Sequence, residues 1–175
     1  MLLKNALPSA EVLAGSDAAL QAAVLRSRRL LHRRALVAAF ASTVPVPGLD
    51  WAVDAALLSR LLPKINAEFG LLPEQIAQLD PQQREQVQKA VAVVGSVLIG
   101  KLVTQDMVLK LAQTVGLRMG SKQVAKLVPL AGQALSAALG YATLRYLGEQ
   151  HLCDCVQVAK TAQLVLPAPV AIRVR

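Results

Sequence analysis

A proline-stiffened corner between two apolar helical segments constrains this chain more than any other feature of its sequence. Residues 44–48 read Val-Pro-Val-Pro-Gly. Pro45 and Pro47 each fix the backbone φ angle and remove an N–H donor, and Gly48 permits turn conformations that other residues disfavour. An aspartate such as Asp50 is suited to capping the helix that follows. The corner therefore predicts a helical hairpin whose second arm begins at Asp50.

The composition favours a fold made of helices. Hydrophobic residues make up 54% of the 175 residues, whereas aromatic residues make up only 3%. Leu and Ala, which are abundant here, are strong helix formers, and no segment shows the alternation of polar and apolar residues that is typical of strands. We therefore expect an all-α protein, folded as a compact bundle of about five to seven helices with the Val-Pro-Val-Pro-Gly hairpin corner.

Capping residues, prolines and glycines locate the helices, with Asp80 as the predicted cap of the helix that starts at Pro81. We expect Pro63 to kink or split the second of them, because a proline inside a helix removes a donor and clashes with the preceding turn. We predict one helical domain over 16–164, an N-terminal extension over 1–15 and a tail over 165–175. The predicted helices run from Ser16 or Asp17 to about Ala41, from Asp50 to Phe69, from Pro81 to about Gly100, from Thr104 to about Gly116, over Ser121–Leu127 and from Ala131 to about Leu164.

The positive charge is concentrated near the start of the chain. The net charge is +8, and five of the arginines lie within nine residues: Arg26, Arg28, Arg29, Arg33 and Arg34. Such a cluster favours anionic partners. Nucleic acid is not favoured, because no aromatic or amide side chains alternate with the arginines. An apolar hairpin with Phe40 and Trp51 follows directly, so the arginines and these two side chains predict contact with an anionic membrane surface. The alternative is a solvated helix face.

The longest uncharged run, Leu127–Leu144, has eighteen residues. As a helix it would extend roughly 27 Å, slightly less than a hydrocarbon core of about 30 Å. We interpret it as a buried helix, with a re-entrant hairpin and a true span as alternatives. Within it, Gly132, Ser136 and Gly140 place small residues on one side of the helix, which predicts close packing of a neighbouring helix.

Two segments resemble sites for phosphate or metal. Residues 95–102 match the phosphate-binding P-loop except at Leu102, which replaces the Ser or Thr that holds magnesium, so the glycines are interpreted as packing positions. Cys153 and Cys155 are two positions apart on a helix, so their side chains diverge. They are interpreted as buried thiols and His151 as a surface residue. No disulfide is expected between them, in keeping with a reducing cytoplasm.

Catalytic residues are not evident in the sequence. Asp50 and Asp54 share a helix face, but no third acid or histidine lies near them, so helix capping and charge compensation account for both. His32 is interpreted as a surface residue within the arginine cluster. We therefore predict no enzyme activity, no cofactor and no metal.

Four stretches of the sequence are similar to a known family. They are Ala41-Ser-Thr-Val-Pro-Val-Pro-Gly-Leu-Asp-Trp-Ala-Val-Asp54, Phe69-Gly-Leu71, Lys126-Leu-Val-Pro-Leu-Ala-Gly132 and the helical residues 134–147. In them the chain resembles the C-terminal helical region of immunity-related GTPases and related bacterial helical domains of unknown function. The resemblance implies a helical bundle, membrane contact and a separate GTPase as partner. It does not imply GTP hydrolysis, because a valid P-loop and the Asn-Lys-x-Asp guanine motif are missing.

Together these features predict a non-catalytic helical module on the cytoplasmic side of the inner membrane. We expect it to attach peripherally or insert shallowly, and to recruit a protein partner. A soluble homo-oligomeric interaction protein and a membrane-perturbing effector are the alternatives.

Overall fold

The computed structural model describes residues 8–41, 49–96, 98–100 and 129–167. Within these ranges the chain is helical and contains no β-strand, which confirms the all-α prediction. The helices are α1 (Ala10–Ala14), α2 (Ala18–Ala41), α3 (Leu49–Glu68), α4 (Pro73–Ala77), α5 (Pro81–Val94) and α6 (Pro129–Thr161).

Two helix starts have the predicted caps. The Asp17 carboxylate accepts hydrogen bonds from the backbone N–H groups of Ala19 (2.9 Å) and Leu20 (3.0 Å), at the start of α2. The Asp80 carboxylate accepts one from the Gln83 N–H (2.9 Å), with Pro81 in the first turn of α5. Each aspartate satisfies N–H groups that lack a partner within the helix. These local signals were sufficient to locate both starts.

Other boundaries differ from the predictions. Helix α3 continues through Pro63, so the expected split does not occur. It begins at Leu49, which places Asp50 inside its first turn. Helix α5 ends at Gly95 in the left-handed conformation (φ 74°), five residues earlier than predicted, because a glycine adopts this angle without strain. The short helices α1 and α4 were not predicted.

Several predicted features lie outside the described residues. They are the helices over 104–116 and 121–127, Pro45, Pro47 and Gly48, and the side chains of Phe40, Asp50, Trp51, Asp54 and Ser136. Gly132, Ser136 and Gly140 are placed within α6 by their backbone.

The chain divides into two compact units. Unit 1 comprises Met1–Arg28, Lys64–Lys101 and Glu149–Arg175, and unit 2 comprises Arg29–Pro63 and Leu102–Gly148. The predicted limits of the helical domain, at residues 16 and 164, stay a prediction.

Each unit buries its own apolar side chains. In unit 1 the largest of them are Val24, Ile65, Phe69, Leu71, Val87, Ile99, Leu152, Val156 and Val158. In unit 2 they are Leu31, Ala35, Leu58, Leu61, Leu62 and Leu144. A Cβ atom at Gly148 would overlap the Leu31 side chain, so this glycine permits close approach of α6 to α2. Among the described helices, none combines the length and apolar character needed to cross a bilayer.

Candidate functional site

An exposed face of α2 in unit 2 combines positive charge with apolar side chains. Arg29, His32 and Arg33 are exposed, and Leu36 and Val37 follow with 42% and 51% of their surface accessible. We call these five residues the α2 face. Helical spacing of three, four, seven and eight residues keeps them on one side, because successive residues turn by about 100°. The face is therefore basic toward its N-terminal end and apolar toward its C-terminal end.

Helix α6 supplies an aromatic side chain beside this face. The Tyr141 hydroxyl lies 3.0 Å from His32 Nδ1, and the two rings meet edge to face with centroids 6.1 Å apart. His32 is exposed, as predicted, and this hydrogen bond fixes its ring against α6. One turn further along α6, Tyr146 is 65% exposed and Arg145 is half-buried. Tyr141 of α6 thus contacts the α2 face through His32.

The charge is distributed unequally between the two units. Unit 1 contains ten lysines and arginines and eight acidic residues, a net charge of +2. Unit 2 contains nine lysines and arginines and three acidic residues, a net charge of +6. Most of the net charge of +8 therefore belongs to unit 2.

The structure divides the five predicted contact arginines into two groups. Arg29 and Arg33 are exposed in unit 2, and Arg34 is half-buried there. Arg26 and Arg28 lie in unit 1, where carboxylates engage both of them. This division depends on helix rotation and on the positions of acids distant in sequence.

The pairing in unit 1 is specific. Arg26 Nε donates to a Glu68 carboxylate oxygen at 2.6 Å. Arg28 donates to Glu11 at 2.7 Å and, from two of its nitrogens, to Glu149. The hydrogen bond to Glu149 is the largest cause that raises the pKa of Arg28 above its usual value. These two guanidinium groups are therefore engaged within unit 1 and are less available to an external anion.

A second polar cluster is buried in unit 1. The prediction that His151 is a surface residue is wrong, because only 3% of it is exposed. Its Nε2 lies 2.8 Å from Asn66 Oδ1, and Asn66 Nδ2 donates to the Leu98 carbonyl oxygen at 3.0 Å. The Cys155 thiol donates to the same Asn66 oxygen at 3.5 Å. We call His151, Asn66 and Cys155 the buried cluster.

The geometry assigns the protonation states of the buried cluster. Asn66 Oδ1 is an acceptor because Nδ2 donates to Leu98, so His151 carries its proton on Nε2. Burial lowers the pKa of His151 to about 4, so the ring is neutral at pH 7. Burial likewise raises the pKa of Cys155. A protonated, enclosed thiol is a weak nucleophile, so the cluster as folded is suited to stabilising unit 1.

Cys153 and Cys155 are both buried, as predicted. Across the described part of the chain, no group of three or more His, Cys, Asp or Glu side chains is arranged to hold a metal.

The glycines of the near-P-loop segment have structural roles at the described positions. Gly95 terminates α5, and Gly100 has φ 70°. A Cβ atom at Gly100 would lie 3.2 Å from the Ile76 side chain. Between the two glycines, the Leu98 carbonyl oxygen accepts a hydrogen bond from Asn66 Nδ2. In a P-loop the segment follows a β-strand, whereas here it follows α5.

Sequence reasoning missed Asn66 and Glu149, which organise the polar contacts of unit 1. Asn66 had a detectable signal, since it is the only amide within residues 61–69 and directly follows the apolar Ile65. Comparisons of the chain with protein-family models, curated proteins and solved structures find no match. The resemblance to the helical region of immunity-related GTPases therefore stays a prediction.

Proposed function

We propose that this protein is a non-catalytic helical module that attaches peripherally to an anionic membrane surface through unit 2. The observation that carries the proposal is the charge of unit 2, +6 against +2 for unit 1, together with the exposure of Arg29 and Arg33. Each basic residue near an anionic leaflet adds about 1 kcal/mol of attraction. We place the protein at the cytoplasmic face of the inner membrane and propose that it recruits a protein partner there, with a separate GTPase as the candidate from the resemblance.

The proposed architecture is a bundle of about five to seven helices in which the Val-Pro-Val-Pro-Gly corner joins α2 to α3 as a hairpin. The exposed Leu36 and Val37 support this reading of unit 2, because they occupy the last described exposed turn of α2 before that corner. Apolar side chains beside arginines suit the boundary between headgroups and acyl chains.

A soluble interaction protein is the second candidate, and the exposed apolar residues favour it equally. Leu36, Val37 and Tyr146 would also be covered if two copies of the chain associated. The charge favours the membrane over self-association, since two copies of a strongly basic unit repel one another.

Flotation with lipid vesicles tests the proposal. The full-length chain should float with vesicles rich in phosphatidylserine or phosphatidylglycerol and remain at the bottom of the gradient with phosphatidylcholine alone. Arg29→Gln/Arg33→Gln should lower the apparent affinity by about thirtyfold, from about 1 kcal/mol per arginine. The matched control is Lys64→Gln/Lys89→Gln, which removes the same charge from two exposed lysines of unit 1. Equal loss in both variants, or no flotation of the native chain, would contradict the proposal.

A further inference from the structure

The α2 face has a property beyond its positive charge. Its arginines and its apolar side chains are separated along the helix, with Arg29 and Arg33 in the first part and Leu36 and Val37 in the second. Leu36 and Val37 begin three residues after Arg33, about 4.5 Å further along the axis. A long arginine side chain bridges such a distance, so one side of α2 can meet charged headgroups and acyl chains together.

Unit 2 contains three acids, Asp50, Asp54 and Asp106, whose side chains lie outside the described part. The large apolar residues of unit 1 that are exposed in its described part are Val12, Leu25, Val93 and Val165, and Val12 directly follows Glu11. Exposed apolar residues and exposed arginines are thus combined in unit 2.

We propose that the α2 face is the docking surface for an anionic leaflet. Its basic half binds by electrostatic attraction, and its apolar half binds by burial of apolar surface. This inference rests on the proposed function. Arg29 and Arg33 contact lipid phosphates and carboxylates, while Leu36 and Val37 enter the outer acyl region. We assign a lipid surface to the α2 face for the following reason. A dissolved anion would bind the arginines but would not bury the adjacent apolar side chains, whereas an anionic leaflet does both.

Arg26 and Arg28 do not take part in this docking. Their guanidinium groups form ion pairs with Glu68, Glu11 and Glu149 within unit 1. Binding of Arg26 or Arg28 to a lipid headgroup would break these ion pairs. The predicted set of five arginines is thereby reduced to the exposed members in unit 2.

Salt dependence separates the two halves. Attraction between exposed charges is screened over about 8 Å at physiological ionic strength and over about 3 Å at 1 M, whereas burial of apolar surface is not screened. The native chain should therefore bind acidic vesicles tightly at low salt and retain a weaker component at 1 M salt. That residual component should depend on Leu36 and Val37.

The variant Leu36→Ser/Val37→Ser tests this assignment against Val12→Ser/Val93→Ser, which alters two exposed apolar residues of unit 1. We expect the first variant to lose at least about tenfold in apparent affinity at high salt, the factor that about 1.4 kcal/mol corresponds to. Arg29→Gln/Arg33→Gln should instead remove the salt-sensitive component. Circular dichroism should be unchanged in all three variants, because every altered side chain is exposed.

The outcomes distinguish this inference from the proposed function. If the native chain does not float with acidic vesicles, the proposed function fails. If it floats and Leu36→Ser/Val37→Ser binds at 1 M salt like the control, membrane attachment stands and the two-part docking is wrong. Light scattering tests whether a second copy of the chain binds the α2 face instead of lipid. If the native chain is a dimer and Leu36→Ser/Val37→Ser is a monomer, the α2 face is a dimer interface and the inference is overturned.

Discussion

Unit 1 and unit 2 differ in the environment of their arginine side chains. In unit 1, Arg28 is engaged by two glutamates, and a buried histidine is hydrogen-bonded to an asparagine. In unit 2, the next residue along the chain, Arg29, is exposed to solvent. Both belong to α2, so helix propensity and local charge density cannot account for the difference. The positions of the carboxylates do, because Glu11, Glu68 and Glu149 all belong to unit 1.

This contrast separates stabilising polar groups from polar groups that remain available for binding. A satisfied buried polar group contributes to the fold, and its loss leaves its partners without hydrogen bonds. An exposed charge contributes little to stability and much to attraction between molecules. Changes in unit 1 should therefore alter unfolding, whereas changes to the α2 face should alter binding.

The largest effect on stability should come from Asn66→Leu. This change deprives the His151 Nε2–H and the Leu98 carbonyl of their partner at once. Each buried group left unsatisfied costs about 1–3 kcal/mol, so we expect a loss of about 3 kcal/mol in the free energy of unfolding. Urea denaturation followed by circular dichroism measures it.

Ser27→Ala is the matched control for Asn66→Leu. Ser27 is fully buried in unit 1, and within the described structure its hydroxyl has no hydrogen-bond partner. Removing an unsatisfied buried hydroxyl should leave stability unchanged or raise it by about 1 kcal/mol. If both variants were equally destabilised, loss of packing rather than loss of hydrogen bonds would explain the result.

Acid should destabilise unit 1 through His151. The pKa of His151 is lowered to about 4 in the folded protein, from an ordinary value of 6.5. The unfolded chain therefore binds this proton more readily between pH 6.5 and 4. The stabilising contribution is present above pH 6.5 and is lost as the pH falls toward 4, by about 3 kcal/mol in total.

His151→Gln isolates this contribution, because glutamine keeps an N–H donor and does not titrate. The difference in unfolding free energy between the native chain and His151→Gln should shrink as the pH falls from 7 to 4. A difference that is constant over this range would show that His151 is not held neutral by burial. The chain has one other histidine, His32, which both proteins retain.

A smaller effect should distinguish Arg28 from Arg33. Arg28→Gln removes the contacts to Glu11 and Glu149, but these groups are partly exposed and solvent screens the pairs, so we expect a loss of about 1 kcal/mol. Arg33→Gln should change stability by no more than about 0.5 kcal/mol, as is usual for an exposed side chain. Thermal unfolding of the two variants provides the measurement. Equal destabilisation would remove the contrast between the units.

The sequence predicted features that depend on neighbouring residues and failed for features that depend on distant ones. The Asp80-Pro81 start of α5 was located because a capping aspartate acts on a residue three positions away. The arginine cluster was found, but its division was not, because Glu68 and Glu149 lie 42 and 121 residues from their arginine partners. The burial of His151 was missed for the same reason, since its partner Asn66 lies 85 residues away. Pro63 was expected to kink or split the second helix, and α3 continues through it without a split.

The two enclosed thiols have a practical consequence. Cys153 lies under the N-terminal segment, with its Sγ 3.6 Å from the Pro8 carbonyl oxygen, and burial raises its pKa to about 11. Cys155 is fully buried. A maleimide or disulfide reagent reacts with the thiolate, so both cysteines should be modified only when unit 1 opens. The rate of alkylation in native buffer therefore reports the opening of this unit, and a single cysteine introduced on unit 2 accepts a dye selectively while the native pair remains protected.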